Sequence, residues 1–244
     1  MPAKLATLEH LTGHTFNEIV WLERSVTHRS WVFENMPAAT SAEMHVAENE
    51  SLEFVGDSVL GLVIAEQLFR NNPTLSEGDL TLMKHHLVST ATLAKLGAEM
   101  DLGKYVRVGR GEELTGGRQK HTLLANTLEA IIGAVFIDGG YVAAKVVIGR
   151  FFFNEMRNAS PKSSLDFKTL LQETLQAEKL TAPRYNVTRT DGPPHAREFF
   201  VEAIWEGGTS NGHGRSIKAA EMMAASIAVD ELNTKKKNEK QPAA

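Results

Sequence analysis

Three acids in the stretch ENESLEFVGDSVLG, from Glu48 to Gly61, are of a type and spacing to act together: Glu50, Glu53 and Asp57. Separations of three, four and seven residues put them on one face of a helix. Asn126 and Glu129 in ANTLEA repeat the three-residue spacing within an otherwise apolar run, and Glu77 in LSEGDL lies just before a third helical segment. Two readings are open at this level. Acids at such spacings form ordinary solvated helix faces; they also form cation sites when they point inward from packed helices, where they are costly unless something positive neutralises them. The apolar flanks and Gly56, which lets two backbones approach closely, favour the second. Mg²⁺ takes oxygen ligands, keeps several waters and needs only a few carboxylates. Hydrolysis of phosphodiesters is the chemistry that such sites commonly serve.

The elements that must hold these residues can be read from periodicity. Apolar residues recur at helical spacing in FNEIVWLERSV, SLEFVGDSVLGLVIAEQLF, LTLMKHHLVSTATLAKLGAEM, HTLLANTLEAIIGAVFI and YVAAKVVIGRFFFNEM, so residues 1–157 are expected to be an all-α domain. Stops fall at Asn71-Asn72-Pro73, in GRGEELTGG and at Asp138-Gly139-Gly140. Residues 158–164, polar and containing Pro161, read as a linker. Residues 165–234 read as a small α+β domain of order α-β-β-β-α: DFKTLLQETLQAEKL, then RYNVTRT, AREFFVEAIWEG and TSNGHGRS, then KAAEMMAASIAVDEL. Residues 235–244, KKKNEKQPAA, lack a hydrophobic run and read as a disordered tail.

Composition excludes several alternatives. With 244 residues, 42% hydrophobic and 23% charged, the chain can build one large core or two modest ones. The run AIIGAVFI is too short to span a bilayer and the N-terminus shows no secretory pattern, so no membrane association is expected. Zero cysteines rule out disulfides, thiolate nucleophiles and Cys-ligated zinc, and fit a reducing cytoplasm. A net charge of −4 means that any nucleic-acid binding must come from local patches. His85-His86 reads as a surface pair rather than a metal site and His28 as structural, while Met222-Met223 and Phe151 to Phe153 read as core or interface.

ENESLEFVGDSVL resembles the signature of the ribonuclease III family, close to ERLEFLGDSVL, with Ser51 in place of the basic residue. The resemblance extends to THRS at Thr27 to Ser30, to EGDL at Glu77 to Leu80 and to LLANTLEAIIGAVFIDGG at Leu123 to Gly140. It implies an endoribonuclease domain followed by a double-stranded-RNA-binding domain, acting as a homodimer on double-stranded RNA with Mg²⁺, for which Mn²⁺ substitutes. Carried over by position, Glu53, Asp57, Asn126 and Glu129 are the metal residues, Asp57 and Glu129 are catalytic, and Glu50 and Glu77 are supporting acids. Asn126 stands where bacterial members typically have Asp. Its carbonyl oxygen can still face a cation but it brings no charge, so weaker metal affinity is expected, and a non-cleaving RNA-binding regulator is the alternative function. RNA contacts implied by the resemblance are Thr169, Gln172 and Glu173 on the first helix, Pro194 and His195 in the β1–β2 loop, and Arg215, Ser216 and Lys218 at the start of the last helix. Residues 163–231 hold seven Lys and Arg against ten Asp and Glu, so RNA affinity is expected to be modest and salt-sensitive.

Overall fold

The computed structural model describes residues 3–164, 166–193 and 196–239. It divides into two compact units, Met1–Ser164 and Leu165–Ala244. The first is all helix: α1 (Ala3–Thr12), α2 (Ile19–Ser25), α3 (Arg29–Asn35), α4 (Ser41–Ala47), α5 (Glu50–Asn71), α6 (Glu77–Leu87), α7 (Thr90–Glu99), α8 (Arg110–Leu114), α9 (His121–Phe151), α10 (Phe153–Asn158) and α11 (Pro161–Ser164). The second contains α12 (Phe167–Ala177), β1 (Arg184–Asp191), β2 (Glu198–Trp205), β3 (Gly208–Gly214) and α13 (Ile217–Glu239).

Helices α5 and α9 form the spine of the first unit and share its most extensive contact. Leu52, Val59, Leu60, Val63 and Ile64 of α5 meet Leu124, Leu128, Ile131, Ile132 and Val135 of α9 in one core. On length and composition alone α9 is apolar enough to cross a membrane, yet these side chains are buried in protein. The expected stop at Asp138-Gly139-Gly140 is a kink at Gly140, whose φ of 73° lies in the left-handed region that favours glycine. Asp138 fixes the kink by accepting from the backbone N–H groups of Asn17 (3.0 Å) and Glu18 (2.9 Å) and by pairing with His14 at 2.8 Å.

Several local expectations are corrected. LTLMKHHLVSTATLAKLGAEM is two helices, because Ser89 accepts from the Thr92 N–H and caps a new start. Glu77 is the first residue of α6, not a residue before it, since Ser76 takes the cap position and accepts from Asp79 N–H at 3.1 Å. GRGEELTGG holds the short helix α8 rather than only a break. Residues 158–164 are not a bare linker: Pro161 opens α11, which packs on α6. The first five residues of the polar tail, 235–239, continue α13, whose packed N-terminal part nucleates helix that good helix formers such as Lys and Glu extend.

The second unit has the expected α-β-β-β-α order. Its three strands form an antiparallel sheet in the order β1-β2-β3, with Tyr185 opposite Ala203 and Phe199 opposite Gly214. One face is covered by α12 and α13, where Leu171, Leu175, Trp205, Ala225, Ala228, Val229 and Leu232 make a separate core. Asp166 caps α12 by accepting from the N–H groups of Lys168 and Thr169.

Candidate active site

The site begins with two glycines. A Cβ on Gly56 would land on the Glu129 carbonyl of α9, and one on Gly133 would land on the Leu52 carbonyl of α5. The two helices therefore touch backbone to backbone, which sets Glu53 and Asp57 across from Asn126 and Glu129. At roughly 100° per residue, Glu53 falls at the edge of the buried stripe of α5, Asp57 further round, and Phe54 on the opposite side. Glu53, Asn126 and Glu129 are accordingly half-buried and Asp57 is exposed. Phe54, one of the apolar residues that flank the acids in sequence, is 75% exposed.

Electrostatics tie the four residues together. Burial first, then the charges of Asp57 and Glu53, push Glu129 up to about 7. Burial also raises Glu53, against the lowering effect of a hydrogen bond from Asn126, while Glu50 and Asp57 raise it further. Among the described residues no Lys, Arg or His forms an ion pair with Glu53, Asp57 or Glu129. By contrast Glu66, on the same helix, is held down to about 2 by hydrogen bonds from Tyr141, Lys145 and Arg70. The donor set is all oxygen, three carboxylates and one amide, and has no internal counter-charge, which suits a hard divalent cation. As placed, the side chains do not close on one point: among the described residues no three His, Asp or Glu gather tightly enough to hold an ion.

A cleft of about 410 Å³ opens beside the cluster, lined by Glu50, Glu53 and Asn126 together with His28, Glu112 and Lys120. Asp57 and Glu129 do not line it. Glu50 pairs with Arg29 at 3.1 Å. Glu77 stays outside, exposed on α6 and accepting from the Thr81 hydroxyl at 2.9 Å. His28 is structural as expected: it caps α3 by accepting from Ser30 N–H, and burial lowers its pKa. Glu112 and Lys120, paired at 2.7 Å, were not anticipated as cleft residues. Their one signal was membership of the charged, glycine-rich segment just before α9. His85 and His86 are exposed, Phe152 is fully buried and Phe153 is 60% exposed.

In the second unit, Thr169, Gln172 and Glu173 are exposed on α12. Arg215, Ser216 and Lys218 are exposed around the N-terminus of α13, where Ser216 accepts from Ala219 N–H at 3.1 Å. Pro194 and His195 lie outside the described residues.

Comparison with known proteins matches both units. A family model described as Ribonuclease-III-like covers residues 18–156, and one described as Double-stranded RNA binding motif covers residues 167–232. The helical unit is thus a ribonuclease-III-like nuclease domain and the α-β-β-β-α unit an RNA-binding one. Ribonuclease 3 of Syntrophotalea carbinolica is 42% identical over 229 residues, which is 93% of this chain and 96% of the relative. Ribonuclease 3 of Streptomyces coelicolor is 45% identical over 238 residues, 93% of this chain and 83% of the relative. The nuclease domain of ribonuclease III from Campylobacter jejuni, a structure described for flexibility in a region involved in dimer formation, aligns with a TM-score of 0.54 at 33% identity, covering 63% of this chain and 96% of that one. The chain belongs to the ribonuclease III family and is an endoribonuclease.

Proposed function

We propose that the chain is a homodimeric, Mg²⁺-dependent endoribonuclease that cleaves double-stranded RNA to products with 5′-phosphate ends, acting in the cytoplasm on ribosomal RNA precursors and other structured transcripts. The observation that carries this reading is the placement of Glu53 and Asp57 on α5 across from Glu129 on α9, near enough that the charges of the first two raise the third, with no cation among the described residues paired to them. Glu53, Asp57, Glu129 and the carbonyl oxygen of Asn126 would hold the ion, with Mn²⁺ an acceptable substitute. When bound, Mg²⁺ supplies Lewis acidity toward phosphate oxygens and lowers the pKa of water.

The chain's own residues do the rest. The Asn126 amide, which lowers the Glu53 pKa against the effect of burial, would orient that carboxylate through its N–H and present its own oxygen to the ion. Glu129, protonated below about 7 in the absence of a counter-charge, must release its proton when a cation docks. Glu50 and Arg29, paired at the cleft, extend the polar wall toward the RNA; Glu77 is a supporting acid only if the partner subunit or RNA brings it near. Thr169, Gln172, Glu173, Arg215, Ser216 and Lys218 form two exposed groups suited to reading the A-form minor groove and its phosphates. The family resemblance assigns a further contact to Pro194 and His195, which lie outside the described residues. Exposed Phe54, beside the acids, supports a two-fold pairing that covers it and sets two clusters in one cleft.

The test is cleavage of a long perfect RNA duplex by the full chain under a Mg²⁺ titration, with the product ends analysed. Short duplexes ending in 5′ phosphates are expected. RNA that is bound but intact at high Mg²⁺ would favour the second reading, a non-cleaving RNA-binding regulator, for which the neutral Asn126 is the supporting observation.

A further inference from the structure

Away from the acidic cluster, a set of hydrogen bonds joins α2 to the elbow between α4 and α5. Arg24 Nε donates to the Glu48 carbonyl at 2.9 Å, and one terminal guanidinium nitrogen donates both to the His45 carbonyl at 3.0 Å and to Ser51 Oγ. Burial lowers the Arg24 pKa, with Glu48 acting in the opposite direction. Asn49, buried in the same elbow, is tied twice to the end of α2: its N–H donates to the Thr27 carbonyl at 3.0 Å and its amide to the Ser25 carbonyl at 3.3 Å. Glu50 follows at once, and Glu53 one turn later.

Capping the C-terminal carbonyls of α4 accounts for two of the three Arg24 contacts. It does not account for the third, because Ser51 lies in the first turn of the next helix. Ser51 is also the position at which the family signature carries a basic residue. A cation thus reaches this spot from α2 instead of from α5.

We propose that Arg24 is a positioning residue for the carboxylates of α5: its guanidinium replaces, from a different helix, the basic side chain of the family signature and fixes where α5 starts, hence where Glu50 and Glu53 point. The proposal rests on the assignment of Glu53 to the catalytic cluster. Rates depend steeply on such placement, since displacements of about 1 Å cost up to about a hundredfold.

The experiment compares the full-length chain with Arg24→Gln, Arg24→Lys, Ser51→Arg, the Arg24→Gln/Ser51→Arg double variant and Glu53→Gln, measuring single-turnover cleavage of a long duplex, duplex affinity and thermal midpoint. Arg24→Gln is expected to cleave about tenfold more slowly with affinity within about twofold. The double variant, which returns the guanidinium to α5, is expected to recover to within about threefold of the parent. Ser51→Arg alone places two guanidiniums together and is expected to cleave more slowly than the parent. Arg24→Lys keeps the charge without the planar fork and gives an intermediate rate in a chain that folds. A double variant no faster than Arg24→Gln, or a loss confined to affinity, overturns the positioning role. Parent-like cleavage by Glu53→Gln instead overturns the cluster assignment on which it rests.

Discussion

The two units place their functional residues in opposite ways. In the helical unit the acids are held by backbone contact: Gly56 and Gly133 press α5 and α9 together, and Glu53 and Glu129 are half-buried against each other's charge. In the α-β-β-β-α unit the residues proposed to meet RNA stand exposed, Thr169, Gln172 and Glu173 on α12 and Arg215, Ser216 and Lys218 around the start of α13. A buried constellation is sensitive to small shifts, because every displacement moves several charges at once. An exposed one loses contacts singly and in roughly additive steps. The second unit also lacks a net positive charge, so on the proposed function it would hold RNA through a few local contacts rather than a broad field.

The sharpest way to break that contrast is to add a methyl group. Gly56→Ala drives a Cβ onto the Glu129 carbonyl and is expected to destabilise the helical unit by about 3 kcal/mol or more, measured by chemical denaturation, while Thr169→Ala leaves its own unit's stability within about 0.5 kcal/mol. Removing charge comes next: Glu129→Gln is expected to lower cleavage by at least about a thousandfold with the fold intact, whereas Asn126→Asp is expected to lower the Mg²⁺ concentration needed for half-maximal cleavage. An unchanged Mg²⁺ dependence for Asn126→Asp would mean that this position does not face the ion.

Acid–base behaviour gives a third, smaller effect. Glu129 is raised from 4.5 to about 7, so between those values the folded chain binds protons that the unfolded chain has released. Stability without divalent cations should therefore fall as pH rises from about 4.5 to about 7 and level off above it. Glu53, raised for the same reasons, adds to the fall. Glu129→Gln, or saturating Mg²⁺, should flatten the melting temperature across that window. The smallest effect is expected at the exposed cations: Arg215→Ala or Lys218→Ala should weaken duplex binding a few-fold and reduce the salt dependence by about one unit of slope, with the single-turnover cleavage rate unchanged at saturating RNA.

Sequence spacing was sufficient where structure is local. The pairing of Glu53 with Asp57 and of Asn126 with Glu129 follows from helical periodicity, and Gly56 signalled the close crossing that brings the pairs together. The strand order of the second unit followed from alternation, and between the strands Gly192 and Gly207 both have positive φ. Helices α3, α4 and α8 were missed because each is short, and α3 and α4 are set by caps at His28 and Thr40 rather than by an apolar stripe. The exposure of Phe54 was not legible, because an apolar residue amid apolar neighbours gives no sign of which face it takes. The Glu112–Lys120 pair depends on how one loop folds back before α9, and the reach of Arg24 to Ser51 on a contact between segments 27 residues apart, neither of which an apolar pattern encodes.

The central claim, that the cluster on α5 and α9 cuts while the second unit holds, is tested most directly by measuring binding and cleavage of one RNA duplex by full-length Glu129→Gln. The expected result is affinity within about threefold of the parent and cleavage lower by at least about a thousandfold. Cleavage at the parental rate would contradict it, as would a loss of binding in step with the loss of cleavage.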